Sequence, residues 1–282
     1  MLTEKKMFMK YGFLINYSEP LIEILNKQIE KIKEKKVALL LSGGIDSSGL
    51  AILLKQFYKG DVVCYIASFN GNSDQVDMAV EIAKRLNYEY KLIDVEESKE
   101  AWKEVMRAIK EPIEDAASIP LLSMAKQIKK DGFGMALSGD GNDESLAGYN
   151  FYFNPTRRMW FNLFTQFKSF KKQREEIYNF DLNVRLGEEW VKQRSRIFKY
   201  AGLTLFCPFC SEEYINFGRN IPLSIKTMKG SKWIFKEAVA KYDSIILNKK
   251  KLVMCFPKPR SKMENREYLW KIYQEVMKGG TE

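Results

Sequence analysis

The sequence predicts an α/β protein, a parallel sheet with helices on both faces, followed by a mostly helical C-terminal half. Three observations point there. Short apolar runs alternate with stretches of helical periodicity through the first 150 residues. The run 37–41, Val-Ala-Leu-Leu-Leu, has no polar face, as a strand covered on both sides requires. Two loops rich in Gly, Ser and Asp each follow such a run, and open α/β sheets place their ligands at the carboxyl ends of the strands.

Ser18, Glu19 and Pro20 open the first helix, a capping residue with proline in the first turn, and Leu21, Ile22, Leu25, Ile29 and Ile32 form its apolar stripe. A strand over 37–41 leads through the first loop into an apolar helix over 50–57. A second strand spans 62–69, and Val76, Ala79, Ile82, Ala83 and Leu86 mark the next helix. A third strand spans 88–94, followed by a helix with Ala101, Trp102, Val105, Met106 and Ile109 on one face. A helix over 120–130 starts with Pro120, and the short strand 135–137 enters the second loop. Beyond about residue 150 the strand rhythm stops and helical spacing returns at 190–200 and 233–242. The chain therefore divides into a lead-in over 1–18, an α/β core over 19–150, and a mostly helical region over 151–282 packed on the same core.

Composition narrows the chemistry. Of 282 residues, 45% are hydrophobic and 29% charged, as in globular proteins. No apolar run approaches the roughly 20 residues of a membrane span. The first residues lead into no apolar signal region, so a cytoplasmic location is expected. Four cysteines suggest reduced thiols rather than a disulfide framework. The chain has no histidine, which excludes a Ser-His-Asp hydrolase and a His-ligated zinc enzyme. A net charge of +10 suits anionic nucleotides as well as nucleic acid, and no RNA-binding motif accompanies the basic residues.

The first loop reads Leu41-Ser42-Gly43-Gly44-Ile45-Asp46-Ser47-Ser48. Paired glycines let backbone approach a phosphate, and the N terminus of the following helix presents N–H groups to it. No Lys precedes the serines, so this is not a Walker A loop. Asp46 beside a pyrophosphate would be repulsive without a bridging cation, which implies Mg2+. The second loop, Ser138-Gly139-Asp140-Gly141-Asn142-Asp143-Glu144, puts three acids in five positions at the same expected sheet edge. One could complete a magnesium shell while another orients or deprotonates an amine.

At these residues the chain resembles a known family. The first loop resembles the SGGxDS signature of the ATP pyrophosphatases, or PP-loop enzymes, which include asparagine, argininosuccinate, GMP and NAD synthetases and tRNA-thiolating enzymes. The segment 138–149 resembles the SGEGSDE…GGY segment of the asparagine synthetase family, and the likeness extends over about 21–242. It implies that Ser42, Gly43, Gly44, Asp46, Ser47 and Ser48 hold the phosphates of ATP. It implies that Asp46 and Asp143 bind Mg2+, and that Leu41, Ser68, Ser138 and Gly139 line the adenosine pocket. Asp140, Glu144 and Lys232 are the implied catalytic residues. Lys232, in Gly230-Ser231-Lys232, would stabilise charge at the adenylate, although the segment also reads as a surface helix. The implied activity is adenylation of a carboxylate, aspartate or another acid, followed by amide formation with ammonia or an amine.

The departures from the pattern bear on the substrate. Leu2 follows Met1, where glutamine-hydrolysing relatives carry a cysteine, so a separate glutaminase subunit is one expected source of ammonia. Asp140 stands where the family has Glu, one methylene longer. The family's R-x-PFLD segment becomes Phe206-Cys207-Pro208-Phe209-Cys210-Ser211, without its Arg and Asp. Cys207 and Cys210 read first as packed thiols; a zinc site would also need Cys64 and Cys255. The basic residues Lys249, Lys250, Lys251, Lys258, Arg260 and Lys262 read first as a solvated face. A PP-loop enzyme modifying tRNA is the alternative expectation.

Overall fold

The computed structural model describes residues 17–68, 74–113, 115, 117–154, 156–166, 169–248 and 262–278. Most of the lead-in, together with Phe69, Cys255 and the basic residues from Lys249 to Arg260, lies outside them. Five strands form one parallel sheet in the order β3-β2-β1-β4-β5. They are β1 (Lys36–Leu40), β2 (Asp61–Ser68), β3 (Glu89–Asp94), β4 (Met135–Leu137) and β5 (Thr204–Phe206).

Alternation along the strands sorts side chains into two cores. Val37 and Leu39 of β1 and Val62, Cys64 and Ile66 of β2 face one layer. That layer contains α1 (Ser18–Glu30), α2 (Ile45–Phe57) and α3 (Asp74–Arg85). Ala38, Leu40, Val63 and Tyr65 face the other, with α4 (Lys99–Ile109) and α5 (Ser118–Lys130). Both faces of the central strands are covered, which is why 37–41 carries no polar residue. α4 begins where the Ser98 hydroxyl accepts from Ala101 N at 3.1 Å and buries Trp102, Val105, Met106 and Ile109, the stripe its spacing predicted.

Three boundaries differ from expectation. α2 starts at Ile45, not 50, because extended Gly44 turns the chain directly into the helix. α5 starts two residues before Pro120, which sits in the first turn where its missing N–H is harmless. The third difference is larger: β5 is a strand inside the half read as mostly helical. It has three residues and pairs with β4 through Met135↔Thr204 and Leu137↔Phe206. A strand that short carries no period-2 signature, and Gly202 just before it looks like a helix end.

The other elements described in that half are helical. After α6 (Asn142–Ser145) and a 3-10 turn at Asn150–Tyr152 come α7 (Arg157–Gln166) and α8 (Phe170–Phe180). A π-helical segment, Asp181–Trp190, runs into α9 (Val191–Tyr200), whose Ile197 and Phe198 close the second core. A 3-10 turn, Pro208–Cys210, leads to α10 (Glu212–Asn220), α11 (Leu223–Lys226) and α12 (Trp233–Val239). α12 packs on α1 and α2, and α13 (Lys262–Lys278) packs on α4. Among the described residues no helix is long and apolar enough to cross a membrane.

Lys226 is 1% exposed, and among the described residues no carboxylate pairs with it. Its Nζ donates to the Gly218 carbonyl at 2.7 Å and lies 3.6 Å from the centre of the Tyr178 ring. Burial pulls its ammonium down to about 7. A lysine lowered in the folded state costs stability below that pH, and the cost is relieved as pH rises toward the unfolded value. Lys226→Met should therefore be at least as stable as wild type at pH 6.5. Above pH 7 its advantage should shrink by up to about 1.4 kcal/mol per pH unit, as measured by urea unfolding. A pH-independent difference would show that Lys226 keeps its proton in the fold.

Candidate active site

The first loop leaves β1 at its carboxyl end. Leu41 is buried, with its N–H bonded to the Tyr65 carbonyl at 2.9 Å. Ser42 and Ser47 lock the turn: Ser42 N donates to Ser47 Oγ at 3.1 Å, and the two hydroxyls lie 3.0 Å apart. Ser48 N makes the first helical bond, to Gly44 O at 3.0 Å, so the preceding N–H groups of α2 point out of the helix end. Ser68 lies buried at the carboxyl end of β2, one strand away.

The second loop leaves β4 beside it and packs onto the start of α2. A Cβ on Gly139 would stand 2.9 Å from Ser47 N, so only glycine permits this approach. Ser138 N donates to the Phe206 carbonyl of β5 at 3.0 Å, and Ser138 Oγ donates to Asp140 at 2.7 Å. Asn142 Nδ2 reaches across to Asp46 Oδ1 at 2.6 Å, while Asn142 Oδ1 accepts from buried Tyr214 at 2.6 Å.

Lys232 joins the two loops from the far half of the chain. Its Nζ contacts Asp46, and it pairs with Asp143 Oδ1 at 2.6 Å. The residue is 1% exposed and caps α12 in a left-handed conformation, φ 54°, which a side-chain-bearing residue rarely adopts. Burial works against its ammonium, yet Asp143 and Asp46 hold it above the ordinary lysine value. Ser231 Oγ donates to Gly148 O at 3.0 Å and fixes this approach.

Gly148 completes the cluster. A Cβ there would fall 1.8 Å from Asp143 Oδ1 and 2.2 Å from Lys232 Cε. Gly148→Ala should push the two charges apart and cost about 1–3 kcal/mol of stability, read by thermal or urea unfolding. An unchanged midpoint would show that the cluster can shift freely.

The other two acids have partners of their own. Asp140 pairs with Arg194 of α9, and the Tyr149 hydroxyl donates to Glu144. Glu144 is 2% exposed, and burial pushes its carboxyl up to about 7. The structure thus brings Asp46, Asp143 and Lys232 together, sets Gly139 against Ser47, and places Asp140 and Glu144 in separate pairs. The bland expectation for Lys232, a surface helix lysine, is overturned by its burial. Sequence reasoning passed over Asn142, Tyr149, Arg194 and Tyr214. Asn142 and Tyr149 lay inside the motif. Arg194, three residues before Ile197 and on the same helical face, was a legible anomaly.

The Lys232 ammonium touches both Asp46 and Asp143, so the two carboxylates stand close enough to share one cation. Among the described residues no cluster of three or more acidic or thiol ligands could hold a metal alone. Magnesium commonly takes one or two carboxylates and fills its shell with substrate phosphates and water, so this pair fits a magnesium ion that arrives with a nucleotide.

The sequence profile of the asparagine synthase family matches residues 21–195, and the chain belongs to that family. The glutamine-hydrolysing asparagine synthetase 1 of Bacillus subtilis is 36% identical over 121 residues, 42% of this chain and 19% of that protein. A putative glutamine-hydrolysing asparagine synthetase of Methanocaldococcus jannaschii is 27% identical over 206 residues, 68% of this chain and 34% of that one. The chain thus spans a fifth to a third of the length of these relatives. Among solved structures, an NH3-dependent NAD synthetase from Campylobacter jejuni aligns over 94% of this chain and 96% of its own, with 16% identity and a TM-score of 0.34.

Proposed function

We propose that this chain is an ATP-dependent ligase that adenylates a small carboxylate and then replaces AMP with ammonia or an amine to form an amide. One observation carries the reading: two loops from neighbouring strand ends converge so that Asp46, Asp143 and Lys232 form a single charged cluster beside the N terminus of α2. Membership of the asparagine synthase family supports it.

In this reading the N–H groups at the start of α2, with Ser42, Ser47 and Ser48, take the phosphates that leave as pyrophosphate. Leu41, Ser68, Ser138 and Gly139 border the adenosine. Magnesium, held by Asp46 and Asp143, would supply positive charge to the triphosphate. Lys232 faces the negative charge that develops as the carboxylate attacks the α-phosphorus, and again as the amine attacks the acyl-adenylate. Glu144, oriented by Tyr149, is the buried carboxyl placed to take the amine's proton. Asp140 acts through Arg194, which it anchors on the substrate side. Ammonia would come from solution or from a separate glutaminase subunit.

The test is ATP–pyrophosphate exchange across a panel of small carboxylates, followed by amide formation on adding ammonium. Exchange with one acid class is the expected result. Hydrolysis of ATP with no exchange for any acid would sink the proposal. Cys210, lying against the second loop, favours a second reading in which a tRNA base is adenylated; exchange that requires tRNA would decide for it.

A further inference from the structure

Cys207 and Cys210 stand outside the charged cluster but directly against it. Cys210 N donates to Cys207 O at 2.9 Å, closing a single turn around Pro208 and Phe209. Such a turn holds its first and fourth α-carbons within about 7 Å. Disulfides span α-carbon separations of about 4.4–6.8 Å. Both thiols are free, and both are half-buried rather than sealed in the core. Cys64, in contrast, is buried within β2.

The turn is coupled to the second loop through sulfur. Cys210 Sγ donates to the Asp140 carbonyl at 3.3 Å. Gly141, at φ 100°, comes so close that a Cβ there would lie 2.6 Å from that sulfur and 3.1 Å from the Phe209 carbonyl. No side chain cushions the contact. A sulfur that moved would therefore move the backbone from Asp140 to Asn142, and Asn142 bonds Asp46.

We propose that Cys207 and Cys210 are a reversible disulfide site that reshapes the second loop and weakens nucleotide binding when oxidised. The last clause rests on the proposed function; the disulfide and the loop change do not. The oxidant class is a small-molecule disulfide such as oxidised glutathione. Cys207 attacks as thiolate, since the Cys210 proton is engaged by the Asp140 carbonyl. It forms a mixed disulfide and expels one thiolate. Cys210 then gives its proton to solvent, attacks the Cys207 sulfur and expels the second. Two protein thiols become one disulfide, and the reagent disulfide becomes two thiols. Forming the bond withdraws Cys210 from the Asp140 carbonyl, which loses its donor.

The experiment equilibrates the full chain in glutathione buffers of graded redox poise and reads three quantities. These are the intact mass with peptide mapping of the bridge, hydrogen exchange over residues 138–146, and MgATP affinity by calorimetry. A Cys207–Cys210 bridge reversed by dithiothreitol, faster exchange over 138–146, and an affinity about tenfold weaker are expected. Cys207→Ser should lose the response while binding MgATP as reduced wild type does, and Cys207→Ala serves if the serine variant folds poorly. If neither redox form binds MgATP, the functional reading falls while the bridge and exchange data still judge the switch. Absence of the bridge in excess oxidised glutathione overturns the proposal. So does a bridge that leaves hydrogen exchange unchanged, or retention of one zinc by the reduced pair that blocks oxidation.

Discussion

Asp46→Asn is expected to lower ATP–pyrophosphate exchange by about 10³-fold or more, the scale seen when a single preorganised electrostatic contact is lost from a reacting phosphate. The fold should barely register the change. The Asp46 side chain is about one-fifth exposed, the asparagine is nearly isosteric, and Asn142 can still donate to its remaining oxygen. Lys232 keeps Asp143 as its partner. The loss should therefore appear in exchange and in MgATP affinity, with a stability change of about 1 kcal/mol by urea unfolding. Wild-type exchange in this variant would show that the first-loop carboxylate is not part of the chemistry.

Lys232→Met should do the opposite to the balance of effects, striking folding as well as activity. Removing the one ammonium between Asp46 and Asp143 leaves two carboxylates facing each other in a largely buried site, at a cost of about 3–5 kcal/mol. For a chain of this size that is a fall of roughly 10 °C in Tm. Carboxylates left unpaired by burial and mutual repulsion titrate upward. The variant's deficit is then complete above their raised pKa and shrinks as pH falls through it, so the gap between wild type and Lys232→Met should narrow as the pH is lowered. Lys232→Arg should not rescue, since Gly148 already touches the stem and leaves no room for a planar guanidinium. Equal stabilities at pH 7 would show that the ion pair is not maintained in solution.

Much of this architecture is legible in the sequence, for reasons particular residues make plain. β1 declares itself because five consecutive apolar residues ending at a glycine-rich loop are the length of a strand covered on both faces and too short for a buried helix. The two loops declare themselves because adjacent glycines and clustered acids at strand ends have few structural uses. What escapes is whatever depends on partners distant in the chain. β5 has no pattern of its own and exists through its pairing with β4. Lys232 is separated from Asp46 by 186 residues, and nothing local distinguishes its burial from that of an ordinary helix lysine. The Arg194–Asp140 and Tyr214–Asn142 contacts likewise link half to half. Asp140, picked out for its acidity, has its charge committed to a guanidinium that the motif does not contain.

β5 has one more consequence. Its Phe206 carbonyl anchors the first residue of the acidic loop, and the next turns of chain deliver the cysteine pair, Tyr214 and finally the lysine. A fragment cut near residue 150 would retain both signature motifs and most of the sheet. It would nonetheless lose the Phe206 anchor, Tyr214 and the fixed positive charge of Lys232, leaving the two aspartates without their cation. The smallest working piece of this protein is therefore longer than the stretch in which its signatures can be read.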